Sequence, residues 1–522
     1  AIDEIEKVRS RASSEESKSG FLAKNLEVYE DLIAFLIELE RKYPDQNYNA
    51  QAFGYSERAK ARAFLDSMTE FRSGIRKGLT EEQALKENAI LQKVSNLQSK
   101  LWEESNDEKQ KDARKKLQDA ETELDGFIVN LRLNNPEYAQ LKYPEPYDLK
   151  KAQKQIDADT AMLEYFVGEA HSFVFAVNRS GVQVASLPPR AQLEESVRKY
   201  LERIRKPFKA SLGVDANRLQ KEFEQQSQAL YRQLIEPVNQ TIAKKQNLLL
   251  ILDGVLHYIP FETLAMNKDD LMIEHFRIAY APSLTIWANL KENSKPQNSK
   301  QFIAFGDPVL PVDSSESDDS EKSRFHDLGR LRYAREEVEG IASLYPQGLK
   351  IYLGKDAKES KFRINEISDY NMIHFATHAV IDEEMPRRSM VILSADSKEG
   401  TDGILQMHEI WNLNLNAQLV VLSACQSGLG KLVSGEGMIS LMRAFFYAGA
   451  KNVVVSLWNV DDRSTSDLMK GFYVHMKNGK SQSESLRQAK LDMIRTAKSG
   501  SGYAAYKDPY YWAPFVLVGV GN

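Results

Sequence analysis

An all-α N-terminal region followed by an α/β region on a parallel or mostly parallel sheet is the fold class that the sequence predicts. Three observations predict it. Up to about residue 150, apolar residues recur at helical spacing among Glu, Lys, Gln, Ala and Leu, and strand-like runs are absent. After PEYAQLKYPEPYDL the period changes to short β-branched and aromatic runs bounded by turn residues. Later still, near-continuous apolar runs alternate with helical patterns, as expected of strands covered on both faces.

Residues 1–75 read as helix, Pro-marked turn, helix: GFLAKNLEVYEDLIAFLIELERKYPDQ, then NAQAFGYSERAKARAFLDSM. That is one unit of about the size of a tetratricopeptide repeat, the end of an array. Over 76–150, Ile90, Val94, Leu97 and Leu101, then Leu117, Leu124, Ile128 and Leu131, flank the polar break EESNDEKQ. The spacing predicts a long helical hairpin packed like a coiled coil.

Residues 151–295 form a first α/β series with strands AMLEYFVG, SFVFAVN, VQVASL and NLLLILD and a helix around LQKEFEQQSQALYRQLIEPV. Residues 296–522 form a second, with strands QFIAFGD, LKIYLG, MIHFAT, SMVILS, LVVLSA, NVVVSLW and FVLVGV. Helical patterns such as AREEVEGIASLY, EGMISLMRAFFYAG and STSDLMKGFYVHM separate them. Within this series the acidic run PVDSSESDDSEKSR, Pro311 to Arg324, predicts a mobile surface loop, with processing or autocleavage there as the alternative.

Composition narrows the function. Cys425 is the only cysteine, which excludes an internal disulfide and a cysteine zinc site and points to a reducing, cytoplasmic setting. Lys plus Arg number 69 against 74 Asp plus Glu, so no global basic field argues for nucleic acid or an anionic membrane. Windows of about 18 uncharged apolar residues are missing, and AIDEIEKVRSRASSEESKSG is too charged for a secretory signal, so a soluble chain is expected. It opens on Ala1 and so reads as a fragment or a processed form. The glycines of QSGLGKLVSGEG suggest a phosphate loop, but the position six before Lys431 is Cys425 where that motif needs glycine. No cofactor and no metal are expected.

Two strand ends carry reactive side chains. IHFAT runs into His378 and LVVLSA into Cys425, each where an apolar strand stops and a small-residue loop begins. Ligands and catalysis gather at the carboxyl ends of such strands, and adjacent parallel strands would bring the two within reach. A thiol of ordinary pKa, about 8.5, is mostly protonated at neutral pH, and an imidazole would activate it as base and then protonate the leaving amine. The backbone N–H groups of Ala379 and Cys425 would serve the oxyanion. Taken alone, these residues leave two readings open: a Cys/His nucleophile pair, or a small buried hydrophobe beside an unrelated histidine. His374, four residues before His378 on the same strand face, reads as a core or supporting residue.

HFATHAV, LVVLSACQSGLG, SGEGMISLMRAFFYAGAKNVVVSLWNVDD and PYYWAPFVLVGV, in that order over about 300–522, resemble the CHAT domain, a caspase-like peptidase domain of clan CD often fused to tetratricopeptide repeats. AFGYSERAKARAFLD, NNPEYAQL and LLLILDGVLHYIPFETL resemble what precedes it in such proteins. The resemblance implies a caspase-hemoglobinase-like sheet flanked by helices, a preceding pseudo-protease-like portion at 151–295, and cysteine endopeptidase activity with Cys425 as nucleophile and His378 as the dyad histidine. The family's usual His-Gly is His-Ala here, and the position matching an acidic pocket residue of separases is Ser466. Asp461 and Asp462 stand on the same rim as pocket candidates or as caps of the following helix. Gln426 and Glu436 are further candidates, for the substrate or for bracing their own loop. The expectation is a peptidase that cuts a partner protein and is regulated by an activator on its helical region, as in bacterial signalling or defence, with nucleic acid reached only through a partner complex. The alternative is an inactive caspase-like scaffold that binds protein partners through the helical arm.

Overall fold

The computed structural model describes residues 2–10, 15–44, 46–60, 64–65, 68, 81–103, 107–134, 146–207, 216–292, 301–310, 328–382, 385–424, 430–433, 437–500 and 503–521. Among these residues, eleven strands make one continuous sheet. In chain order they are β1 (Thr160–Val167), β2 (Ser172–Asn178), β3 (Gly181–Leu187), β4 (Asn247–Ile251), β5 (Arg277–Ala281), β6 (Gln301–Gly306), β7 (Leu349–Leu353), β8 (Tyr370–Ala376), β9 (Leu419–Ser423), β10 (Asn452–Ser456) and β11 (Phe515–Gly519). Their spatial order is β3-β2-β1-β4-β5-β11-β10-β9-β8-β6-β7.

The sheet is mostly parallel, as its apolar runs predict: β4, β9 and β10 are buried along nearly their whole length, which requires cover on both faces. Antiparallel pairs occur at β1/β2, β2/β3 and β10/β11. Because β11 runs parallel to β5 and antiparallel to β10, the two strand series run in opposite directions and meet at the last strand of the chain. One core cluster continues across that junction, from Ala161 and Leu248 through Val518 to Val454 and Phe375.

The structure differs from the sequence reading in two strands. SMVILS supplies Met390–Ile392, which leaves the main sheet for a small antiparallel one with Ala379–Val380 and Ile404–Gln406. The run RIAYA, not among the strands expected from the sequence, is β5 near the centre of the main sheet.

N-terminal helices cover one face of the first series. Helices α1 (Ile2–Ser10), α2 (Glu15–Lys24), α3 (Leu26–Lys42) and α4 (Tyr48–Arg58) precede the sheet. Tyr29, Ile33 and Phe53 bury against Phe166, Phe175 and Ile251. Polar anchors complete the docking: the Glu30 carboxylate accepts from the N–H groups of Glu169, Ala170 and His171 at 2.9, 2.8 and 2.7 Å, ordering the β1–β2 turn. Glu57 likewise accepts from Thr285 N at 2.7 Å at the start of the helix Leu284–Glu292.

Helices α5 (Glu81–Glu103) and α6 (Asp107–Asn134) pack on each other through Val94, Leu101, Leu117 and Ala120, with Ile90, Leu124 and Phe127 as a second cluster. The side chains of Ile128 and Leu131, and the acidic run 311–324, lie outside the described residues. This pair rests on the small sheet through a polar latch. Arg388 forks onto the buried Glu121 carboxylate at 3.1 and 2.9 Å, Gln98 Nε2 donates to Arg388 O at 2.7 Å, and Ser99 Oγ bonds Asp402.

Candidate active site

Strands β8 and β9 are neighbours and parallel, in register from Met372 opposite Leu419 to Ala376 opposite Ser423. His378 lies two residues beyond Ala376, and Cys425 two residues beyond Ser423. Cys425, Gln426 and Glu436 lie outside the described residues, so strand register is the information that bears on them. The last described position before the cysteine, Ala424, is buried, and its carbonyl accepts from Ser456 Oγ at 2.6 Å.

His378 Nε2 sits 2.8 Å from the carbonyl oxygen of Gly329. A carbonyl oxygen only accepts, so Nε2 carries the proton and Nδ1 keeps its lone pair. Burial lowers the imidazole pKa below its ordinary value, the Gly329 bond opposing part of that shift. The ring is therefore neutral at neutral pH and able to take a proton at Nδ1.

The next residue is held by the small sheet. Ile392 N donates to His378 O at 2.9 Å, and Ala379 stands opposite Val391. Opposed residues in an antiparallel ladder alternate between bonded and non-bonded pairs, which leaves the Ala379 N–H free of the Val391 strand.

Around the histidine, the segment 329–335 is pinned from two sides. Arg330 forks onto Asp307, Nε to Oδ1 at 2.9 Å and Nη2 to Oδ2 at 2.8 Å, and Arg335 Nε reaches Oδ2 at 3.1 Å. Burial alone would raise the Asp307 pKa, but the two guanidinium groups outweigh it and hold the carboxyl below its usual value. On the other side, Asp462 accepts from Tyr333 N at 2.7 Å. Asp462 is pushed up, chiefly by burial and further by the nearby Glu337 and Asp461 charges, with the Tyr333 bond opposing.

The remaining candidates divide clearly. Asp461 caps the helix Asp462–Lys477, its Oδ1 accepting from Ser464 N at 2.9 Å. Ser466 is fully buried, and its Oγ has no partner among the described residues. His374 is buried beneath the strand end, with Nε2 2.8 Å from Glu337 and Nδ1 3.1 Å from the Tyr473 hydroxyl. It braces the helix Ala334–Leu344 and the helix Asp462–Lys477 against β8. Sequence reasoning missed Asp307, Arg330 and Gly329. Asp307 offered the same signal as His378, a polar side chain where the apolar strand QFIAFG stops, while nothing local marked Arg330 as its partner.

Among the described residues no group of three His, Cys, Asp or Glu side chains could hold a metal ion, and no helix is long and apolar enough to cross a membrane.

Residues 224–520 match the CHAT domain. Tetratricopeptide repeat protein 28 from Homo sapiens is 26% identical over 340 residues, which is 56% of this chain and 13% of that protein. Its Mus musculus counterpart is 25% identical over the same length and shares. The chain thus matches only 13% of the length of these curated relatives. Among solved structures, the Saccharomyces cerevisiae separase–securin complex aligns with a TM-score of 0.46 at 11% identity, over 97% of this chain and 45% of that one. The complex of the pro- and mature domains of Porphyromonas gingivalis RgpB aligns with a TM-score of 0.34 at 10% identity, over 63% and 76%.

Proposed function

The chain belongs to the CHAT domain family, and from that premise we propose that it is a cysteine endopeptidase with Cys425 as nucleophile and His378 as general base. The observation that carries the reading is the register of β8 and β9: Ala376 opposes Ser423, and the two reactive residues follow at equal offsets. Nδ1 of the neutral His378 takes the thiol proton, and the thiolate attacks a peptide carbonyl. The oxyanion is met by the backbone N–H groups of Ala379 and Cys425. His378 then returns the proton to the leaving amine, and a water, activated by the same ring, hydrolyses the thioester.

Gln426 and Glu436 are proposed rim contacts for the substrate. Asp461 and Asp462 serve the scaffold first, because their carboxylates already hold backbone N–H groups. The substrate is a protein, and the helical arm is the place where a protein activator would act. That regulation is supported by the latch of Glu121 on Arg388, four residues before Ile392, whose N–H holds the His378 carbonyl.

The test is cleavage of a diverse peptide library and of candidate partner proteins, mapped by mass spectrometry, for the wild type and for Cys425→Ala and His378→Ala. Cleavage should vanish in Cys425→Ala and fall on the order of 10²- to 10⁴-fold in His378→Ala. Unchanged cleavage in Cys425→Ala overturns the assignment. No cleavage by the wild type, with a partner bound to the arm, favours an inactive scaffold instead.

A further inference from the structure

Resting on the peptidase reading and deepening it, we propose that Asp307 is a positioning residue for His378, acting through Arg330 to hold the Gly329 carbonyl against Nε2 and so keep Nδ1 available as base. Three connections carry this. The Asp307 N–H donates to Ala376 O at 3.2 Å, which ties the end of β6 to the end of β8 two residues before the histidine. The Asp307 carboxylate, 4% exposed, receives the Arg330 fork. The Gly329 carbonyl belongs to the same planar peptide unit as the Arg330 nitrogen, so fixing Arg330 fixes the direction of that oxygen. One residue thereby sets both partners of the His378 hydrogen bond, its backbone on the strand side and its side chain on the loop side.

The geometry argues for more than a surface ion pair. Arg330 is 74% exposed, and an exposed arginine gains little from a single contact. Here it makes a two-pronged bond to a buried carboxylate, the arrangement in which guanidinium pairing is strong and directional. Asp307 adopts φ 49°, a left-handed conformation that aspartate and asparagine tolerate better than most residues. This turn lets its N–H face β8 while its carboxylate faces 330–335. Asparagine at 307 keeps the backbone and removes the charge, and glutamine at 330 removes the fork from a solvated side chain, so neither change opens the core.

The experiment uses the full chain labelled with ¹⁵N-histidine, the His378 ring signals being assigned by their loss in His378→Gln. In the wild type the ring should show a single tautomer protonated at Nε2. Arg330→Gln should give a mixture of both tautomers at unchanged melting temperature and Asp307→Asn the same mixture at a lowered one, Arg330→Lys should lie between, and kcat should fall roughly tenfold with KM unchanged, the order expected for one lost orienting hydrogen bond. An Arg330→Gln protein with the wild-type tautomer and the wild-type kcat overturns the proposal. Should Asp307→Asn fail to fold, the solvated Arg330→Gln decides alone. Failure of the peptidase reading is seen separately, as a wild type that cleaves nothing, because the ring tautomer is read without turnover.

Discussion

His378 differs from an ordinary histidine in two ways that point in the same chemical direction: its Nε2–H is engaged by Gly329 and its pKa is lowered, first by burial. A base works only while unprotonated, so activity that depends on it is lost as pH falls through its pKa. With that pKa below 6.5, the acid limb of Cys425 alkylation by iodoacetamide should lie below 6.5. The measurement is direct because Cys425 is the only thiol in the chain. His378→Ala should move the limb up toward that of an ordinary thiol, about 8.5, and slow alkylation at pH 7. A limb above 6.5 in the wild type would show that the thiol is not activated by this ring. At this scale the candidates were legible in the sequence, since a strand end followed by small residues marks both His378 and Cys425. Their supports were not, because Asp307 and Arg330 stand 23 residues apart in sequence and no local pattern pairs them.

Between the helical arm and the histidine stands the small sheet, and its polar contacts set how tightly the arm is held. Glu121 is buried against two arginines, Arg388 at 2.9 Å and Arg387 at 3.7 Å. Glu121→Ala leaves both cations without it, which should cost on the order of 3 kcal/mol of docking. Hydrogen exchange at Met390–Ile392 and Ile404–Gln406 should rise, while the N-terminal strands stay protected. Beside the latch lies an acidic cluster. Burial, with the Glu409 and Asp402 charges, pushes Glu359 up to about 8 against the pull of Arg363. Burial likewise raises Glu409 to about 7. Groups whose folded-state pKa is raised above the unfolded 4.5 bind more protons in the folded chain. Their stabilisation is complete below about 4.5 and disappears as pH climbs toward 8. Urea melts should therefore weaken over that window, and Glu359→Gln should flatten the slope. Heptad-like spacing made the helical pair readable, whereas its landing site depends on Glu121, Gln98 and Ser99, polar residues that any solvated helix face would carry.

Across the whole molecule, ten of the eleven main-sheet strands could be read as apolar runs, yet their order could not, because pairing between strands far apart in sequence leaves no local trace. The strongest case is β11. FVLVG reads as an ordinary terminal strand, but it lies in the middle of the sheet and, among the described residues, is the only strand joining the two series. Its close fit is visible at Gly519, at φ 132°, where an added Cβ would stand 2.3 Å from Lys451 O and 2.8 Å from Asn452 Oδ1. Neither neighbour can retreat cheaply: the first is backbone, and Asn452 Oδ1 also receives Gly521 N at 2.8 Å. Leu517, fully buried in the shared core, supplies the apolar part of the seam. If the two strand series are energetically one body, damage at the seam must weaken both together. Leu517→Ala should cost about 2–5 kcal/mol, and Gly519→Ala should be destabilising through backbone strain and the Lys451 contact. In each variant, calorimetry should still show a single transition for the sheet, with exchange protection falling alike in β4 and β9. Two separated transitions, with β4 as stable as in the wild type, would mean that the series fold independently and that β11 merely docks them.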